Sequence, residues 1–364
     1  MGVTAADTAA CQLYHAGSSS QSMDTNDLIS FEALWESYLK CRRGVSWKPS
    51  VMGYMCDDLL NTHNLALNLQ KGKWRNSKPR PILITYPKRR EALSIPFRDR
   101  VYQRSINDNI LYPSVTRSFI YDNAACQKGK GTDFARKRLR KFLWNYFCHH
   151  GAHGFVLHMD VKGYYKSLPH DIVRRRFSKS VSRDVLKMAM GVLDQQYRGA
   201  VGFNPGSQMV QIAGISVPDA IDHYIKEKLH CKYYIRYQDD FWVIHESEDY
   251  LWQVLFDVSG KLNELGLELH QTKTKITPLN QKFRFLGFDY RLTQTGKVIV
   301  TIDPANVKHY RKKLVRLAAL VRSGEKTRAE VEQCYRSWRQ HASRQTGRAL
   351  LERMDQFFDS LWRS

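Results

Sequence analysis

The amino-acid sequence predicts an α+β fold, on three observations. Short runs of aromatic and β-branched residues in the middle of the chain (155–159, 233–237 and 241–244) read as strands. Segments with apolar residues at helical spacing, such as Phe31, Leu34, Trp35, Tyr38 and Leu39, precede and separate them. Beyond Asp303 the pattern is helical and basic. With 364 residues, 43% hydrophobic and 25% charged, the chain has material for two or three subdomains.

In chain order, residues 1–30 are small and polar, and up to Leu28 they contain no Lys or Arg, which predicts a flexible leader. Ser30 is an N-cap signal for the helix that follows, and a second helix is expected over about 56–69. Two apolar runs around Lys88, Arg89 and Arg90 predict a hairpin with those cations at its tip. The segment Asp122-Asn-Ala-Ala-Cys-Gln-Lys-Gly-Lys-Gly-Thr132 is a glycine-rich basic loop opening a helix over about 134–147. Its amides, the helix start, Lys128 and Lys130 suit a triphosphate, although the spacing is not that of a P-loop. Helices are expected over about 170–179 and 184–197. Another starts at Gly206 and runs towards Leu229, with Pro218 placed to kink or break it. A helix over 250–262, a hairpin over 283–288 and three basic helices over 307–321, 327–341 and 344–362 complete the chain.

The chemistry concentrates in Lys232-Tyr-Tyr-Ile-Arg-Tyr-Gln-Asp-Asp-Phe-Trp-Val-Ile-His245. Asp239 and Asp240 fall between two apolar strands, where Asp-Asp reads as the hairpin turn itself. Adjacent anions resist desolvation, so a cation such as Mg²⁺ belongs beside them unless they stay solvated as ordinary turn residues. Asp160 ends the apolar run Gly154-Phe-Val-Leu-His-Met, another costly place for a lone charge, with a helix cap as the plainer alternative. If these strands are neighbours, Asp160 and Asp239 can hold two metal ions for a phosphoryl transfer.

The net charge of +22 is the footprint of a polyanion binder. Seven scattered cysteines form no Cys-x-x-Cys pair, which excludes a zinc ribbon or disulfide framework and fits a reducing compartment. No apolar run is long enough for a membrane span and no signal peptide is evident, so a cytoplasmic location is expected.

Tyr237-Gln-Asp-Asp240 resembles the Tyr-x-Asp-Asp box of reverse transcriptases, and Phe155-x₄-Asp160-x₄-Tyr165 resembles their first catalytic box. Arg98-Asp-Arg-Val-Tyr-Gln103, Phe283-Arg-Phe-Leu-Gly-Phe288 and Ser337-Trp-Arg-Gln-His-Ala342 resemble further segments of the bacterial and phage enzymes. Gly206-Ser-Gln-Met-Val-Gln211 resembles the Gly-x₃-Ser-Gln box of diversity-generating retroelement relatives, with Val210 in place of the Ser. The resemblance covers about residues 31–362.

It implies a right-hand polymerase: fingers over 31–150, a ferredoxin-like palm with helices on one face of an antiparallel sheet over 151–300, and a helical thumb over 301–364. The implied metal site is Asp160, Val161, Asp239 and Asp240, with Asp240 in a supporting role, two Mg²⁺ ions as cofactors and Mn²⁺ as a substitute. Lys273 is the implied proton donor or charge stabiliser, a role the nearby Lys275 also suits. The dNTP site is Lys88, Arg90, Lys128, Lys130, Tyr165 and Gln211, with Tyr165 as a gate against ribonucleotides. In the glycine-rich loop Gln127 stands where the family commonly has an Arg. Nucleic acid is assigned to Arg98, Arg100, Gly287, Lys312, Arg316, Arg336, Trp338 and Arg339. The implied partners are an RNA template and primer, dNTPs, a dedicated noncoding RNA, and an accessory protein or a second copy of the chain, without a membrane. The expected role is antiphage defence, against a diversity-generating retroelement as the alternative. A non-catalytic RNA-binding scaffold is the reading from a different class.

Overall fold

The computed structural model describes residues 25–84, 89–197, 199–203, 206–344 and 347–363, and for Arg90 the backbone only. The expected leader up to residue 24 and Lys88 lie outside the described residues. The chain divides into two compact units. One comprises the chain up to Arg117 and Pro169–Ser216; the other comprises Ser118–Leu168 and everything from Val217 onward.

The first unit is mostly helical. Ser30 caps the helix Phe31–Arg42 by accepting from the Ala33 amide at 3.2 Å, as its sequence position predicts. The helix expected over 56–69 is Asp58–Gln70, preceded by a shorter helix, Pro49–Met55, that the sequence reading does not contain. Strands β1 (Arg80–Ile84) and β2 (Arg90–Ser94) form the basic hairpin, with Arg90 opposite Ile84 as the first strand residue, not at the tip. Helices Phe97–Ile106, His170–Ser178 and Arg183–Gln196 pack with Gln208–Ser216 in this unit. The last of these stops short of Pro218, as the missing amide of proline requires.

The second unit holds a four-stranded antiparallel sheet of β3 (Phe155–Asp160), β4 (Tyr233–Tyr237), β5 (Asp240–His245) and β6 (Lys275–Pro278), ordered β4-β5-β3-β6. Strands β4 and β5 are buried on both faces, which explains their nearly continuous apolar runs. Tyr233, Ile235, Trp242, Ile244 and Val156 share one core with Phe142 and Tyr146 of the helix Thr132–His150. That helix, which the sequence reading places in the fingers, therefore packs in the same unit as the four-stranded sheet. The helix Glu248–Glu264 packs against β3 and β5.

A three-stranded sheet of β7 (Phe283–Phe285), β8 (Phe288–Leu292) and β9 (Val298–Ile302) contributes Phe283, Phe285, Phe288 and Tyr290 to that core. The turn between β7 and β8 puts Leu286 at φ 44° and Gly287 at φ 87°, a left-handed pair in which glycine relieves the second position.

The C-terminal helices Pro304–Arg322, Arg328–Ser343 and Arg348–Ser360 enclose a small core of Tyr310, Leu314, Val331, Tyr335, Met354 and Phe358. Thr327 and Glu330 form a reciprocal capping box at the second of them.

Candidate active site

The carboxylates meet because β3 lies between β5 and β6. Asp160 is directly opposite Asp240 in the β3–β5 register, so both project to the same face of the sheet. His158, two residues before Asp160, shares that face, and the ligand atoms of His158, Asp160 and Asp240 all lie within 4.8 Å of one another. The His158 ring stacks on Trp242 with centroids 4.0 Å apart, and its Nε2 lies 3.0 Å from Asp240 Oδ1.

Asp239 is placed differently. Tyr237 pairs with Asp240, so the hairpin loop is Gln238-Asp239, and Asp240 is already the first residue of β5. The expected Asp-Asp turn is thus displaced by one residue. The reason is the two-residue loop, which takes a left-handed first position, and Gln238 supplies it at φ 56°. The Asp239 carbonyl accepts from the Val161 amide at 3.4 Å, tying the turn to the end of β3. Burial, then the charges of Asp240 and Asp160, push the Asp239 carboxyl up to about 6, with Lys273 opposing.

Lys273 Nζ donates to Asp160 Oδ1 at 2.7 Å. Lys275 begins β6 opposite His158, so the geometry puts Lys273, not Lys275, on the acid. A cleft of about 440 Å³ runs along this face, lined by His158, Asp160, Asp240, Trp242, Lys273 and, at the β7–β8 turn, Gly287. Arg136 holds that turn by donating to the Leu286 carbonyl at 2.7 Å.

Tyr165 lies just beyond Gly163, whose φ of 57° turns the chain after Asp160. Its ring meets Tyr164 edge-on, and burial together with the charges of Cys126 and Asp239 raises its phenol. In the glycine-rich loop, Lys128 is exposed, whereas Lys130 donates to the Tyr121 and Asn123 carbonyls at 2.8 and 3.0 Å and to Gln127 at 3.2 Å. Lys130 is therefore a strut of the loop.

Other predicted residues are dispersed. Gln211 is exposed on the helix Gln208–Ser216, Arg98 lies over the Trp74 ring at 4.2 Å, and the exposed Arg100 donates to the Ile95 carbonyl, all within the first unit. On the C-terminal helices Lys312, Arg316 and Arg336 are exposed. Trp338 instead stacks on Tyr310 at 4.8 Å, and Arg339 forms a two-pronged pair with Asp355 at 2.7 and 2.8 Å. Both brace the helices.

Sequence reasoning missed His158 and Arg236. The strand alternation that sets His158 on the face of Asp160 was available as a signal, as was a lone cation inside an apolar strand at Arg236.

The donors fit hard divalent cations: two carboxylates and an imidazole on one face, with a third carboxylate, Asp239, disfavoured as an anion in the adjoining turn. Among the described residues no helix is long and apolar enough to cross a membrane. No curated protein matches the chain. Among solved structures, apo telomerase from Candida Tropicalis, truncated from its C-terminal domain, is similar at 14% identity and a TM-score of 0.45. The similarity covers 63% of this chain and 55% of that one, so the chain spans little more than half the length of that relative. The family described as reverse transcriptase (RNA-dependent DNA polymerase) matches residues 87–290, more than half of the sequence. The chain belongs to the reverse transcriptase family.

Proposed function

We propose that the four-stranded sheet of the second unit belongs to a right-hand palm that extends a primer on an RNA template, with Asp160, Asp239 and Asp240 as its acidic centre. The observation that carries this reading is the in-register pairing of Asp160 with Asp240, beside an Asp239 that is unfavourable as an anion until a cation joins it. Asp160, Asp239 and the Val161 carbonyl would hold two Mg²⁺ ions, or Mn²⁺ in their place, and Asp240 supports them. The ions, when bound, supply Lewis-acid activation of the primer hydroxyl and neutralise charge at the phosphates.

The chain's own residues do the rest. Lys273, already at the carboxylate of Asp160, stabilises negative charge and delivers a proton to the departing pyrophosphate. Tyr165 lies near Asp239, where its ring acts as the wall that a ribose 2′-hydroxyl would strike. Lys128 meets the triphosphate. Gly287 allows the primer to approach the β7–β8 turn closely. Lys312, Arg316 and Arg336 offer exposed cations to phosphates.

The biological reading is antiphage defence with a dedicated noncoding RNA. Val210, in place of the Ser of the retroelement box, favours it over the retroelement alternative. The test is to purify the protein with its bound RNA and supply labelled dNTPs and Mg²⁺, with Asp239→Ala/Asp240→Ala as control. Product that disappears in the control supports the polymerase, and its sequence separates a defence product from a mutagenised repeat. RNA binding without synthesis in either protein would instead support the scaffold.

A further inference from the structure

Arg236 lies in β4 with no exposed surface, and neither has its partner Asp222 in the helix Asp219–His223. The guanidinium donates from Nε to Asp222 Oδ1 at 2.7 Å and from Nη2 to Oδ2 at 2.6 Å. The Tyr234 hydroxyl donates to the same carboxylate at 2.5 Å. The third nitrogen, Nη1, donates to the Gln238 carbonyl at 2.9 Å. Gln238 is the left-handed residue of the turn, and Asp239 follows it directly.

The same residue ties in the glycine-rich loop. The Arg236 amide donates to the Asp122 carbonyl at 3.1 Å, and its carbonyl accepts from the Ala124 amide at 2.9 Å. The Gln238 side chain returns to that loop, its Nε2 donating to Cys126 Sγ at 3.3 Å. Cys126 is itself left-handed, at φ 53°. Two non-glycine residues in this disfavoured conformation are thus hydrogen-bonded to each other, on the catalytic turn and the loop beside it. Such conformations persist where the surroundings over-determine them.

Stability alone does not account for the pair. Desolvating two charges is costly, and apolar residues of similar volume commonly replace a buried pair without loss of stability. An apolar pair, however, has no donor to offer the Gln238 carbonyl. We infer that Arg236, oriented by Asp222, is a positioning residue for polymerisation. It holds Gln238 left-handed, so fixing the direction of Asp239, and registers the turn against the loop 122–132. The inference rests on the proposed role of Asp239.

The test compares Asp222→Leu/Arg236→Met with wild type and Asp239→Asn in the full-length protein. It measures the unfolding midpoint, kcat and KM for a dNTP, and Mn²⁺ binding by electron paramagnetic resonance without nucleic acid. The double variant is expected to keep the wild-type midpoint while kcat falls at least tenfold and Mn²⁺ binds several-fold more weakly. A folded double variant with wild-type kcat and Mn²⁺ affinity would overturn the inference by reducing the pair to a structural one. If the double variant does not fold, Arg236→Lys takes its place; it keeps the charge on Asp222 and loses the fork. A folded Arg236→Lys protein with lowered kcat and weaker Mn²⁺ binding supports the inference, and one with wild-type values overturns it. Undiminished synthesis by Asp239→Asn would instead remove the underlying reading of the site, a result separate from either of these.

Discussion

Lys273 and Asp160 are joined by an ion pair of 2.7 Å between the ammonium and the carboxylate that ends β3. The lysine is half-exposed and the acid largely covered, so the cation reaches in from the open side of the cleft. The charge beside Asp160 thus comes from a residue that also suits the reaction.

Lys273→Met should lower kcat by about 10²-fold, the usual scale for losing a positioned proton donor, while changing the dNTP KM much less. Lys275→Met should change kcat less than threefold. Single-turnover incorporation of one dNTP measures both. Equal losses in the two variants would remove the assignment.

Asp239 makes the metal-free protein sensitive to pH. Its carboxyl is raised to about 6 in the fold, above the ordinary carboxylate range of the unfolded chain. Between those values the folded state binds more protons, so stability falls as pH rises through about 4 to 6 and stays reduced above. Asp239→Asn should therefore abolish synthesis and still unfold later than wild type at pH 7.5 in chelator, by about 1–2 kcal/mol. Near pH 4 the two should coincide. Thermal unfolding across pH checks the crossover.

His158 holds Asp240 through Nε2 while its ring stays stacked on Trp242. His158→Gln, which keeps a donor, should retain most activity. His158→Phe keeps the stack but loses the donor, and should raise the Mg²⁺ concentration for half-maximal rate by about 10- to 100-fold, the usual cost of losing a hydrogen-bond partner of a metal-binding carboxylate. A Mg²⁺ titration of the rate distinguishes them.

Tyr165→Ala should open the sugar pocket. The ratio of dNTP to NTP incorporation efficiency should fall by about 10²-fold or more, since removing a steric clash changes discrimination by a few kcal/mol. An unchanged ratio would mean that another residue forms the gate.

Much of this site was legible from the chain. Runs of aromatic and β-branched residues around Asp160 and Asp239 are a local signal, and β3, β4 and β5 fall within a residue or two of where it places them. Ser30 and Pro218 mark their helix boundaries for equally local reasons. Contacts between distant segments were not legible. Arg336 pairs with Glu332 one turn earlier on its own helix, which its spacing shows, whereas the partner of Arg339, Asp355, lies on another helix. Lys130 reads as a phosphate ligand until the loop folds back and offers it two carbonyls. Asp222 reads as one acid among many until β4 brings Arg236 against it.

Primer extension on an RNA template with dNTPs and Mg²⁺, comparing wild type with Asp160→Asn and Asp239→Asn, tests the acidic centre most directly. Template-dependent DNA synthesis by the wild type, reduced at least 10³-fold in both variants, is the predicted result; losing a charge that holds the reacting phosphates removes several kcal/mol of transition-state stabilisation. Synthesis that survives either substitution would contradict the assignment of the site to these carboxylates.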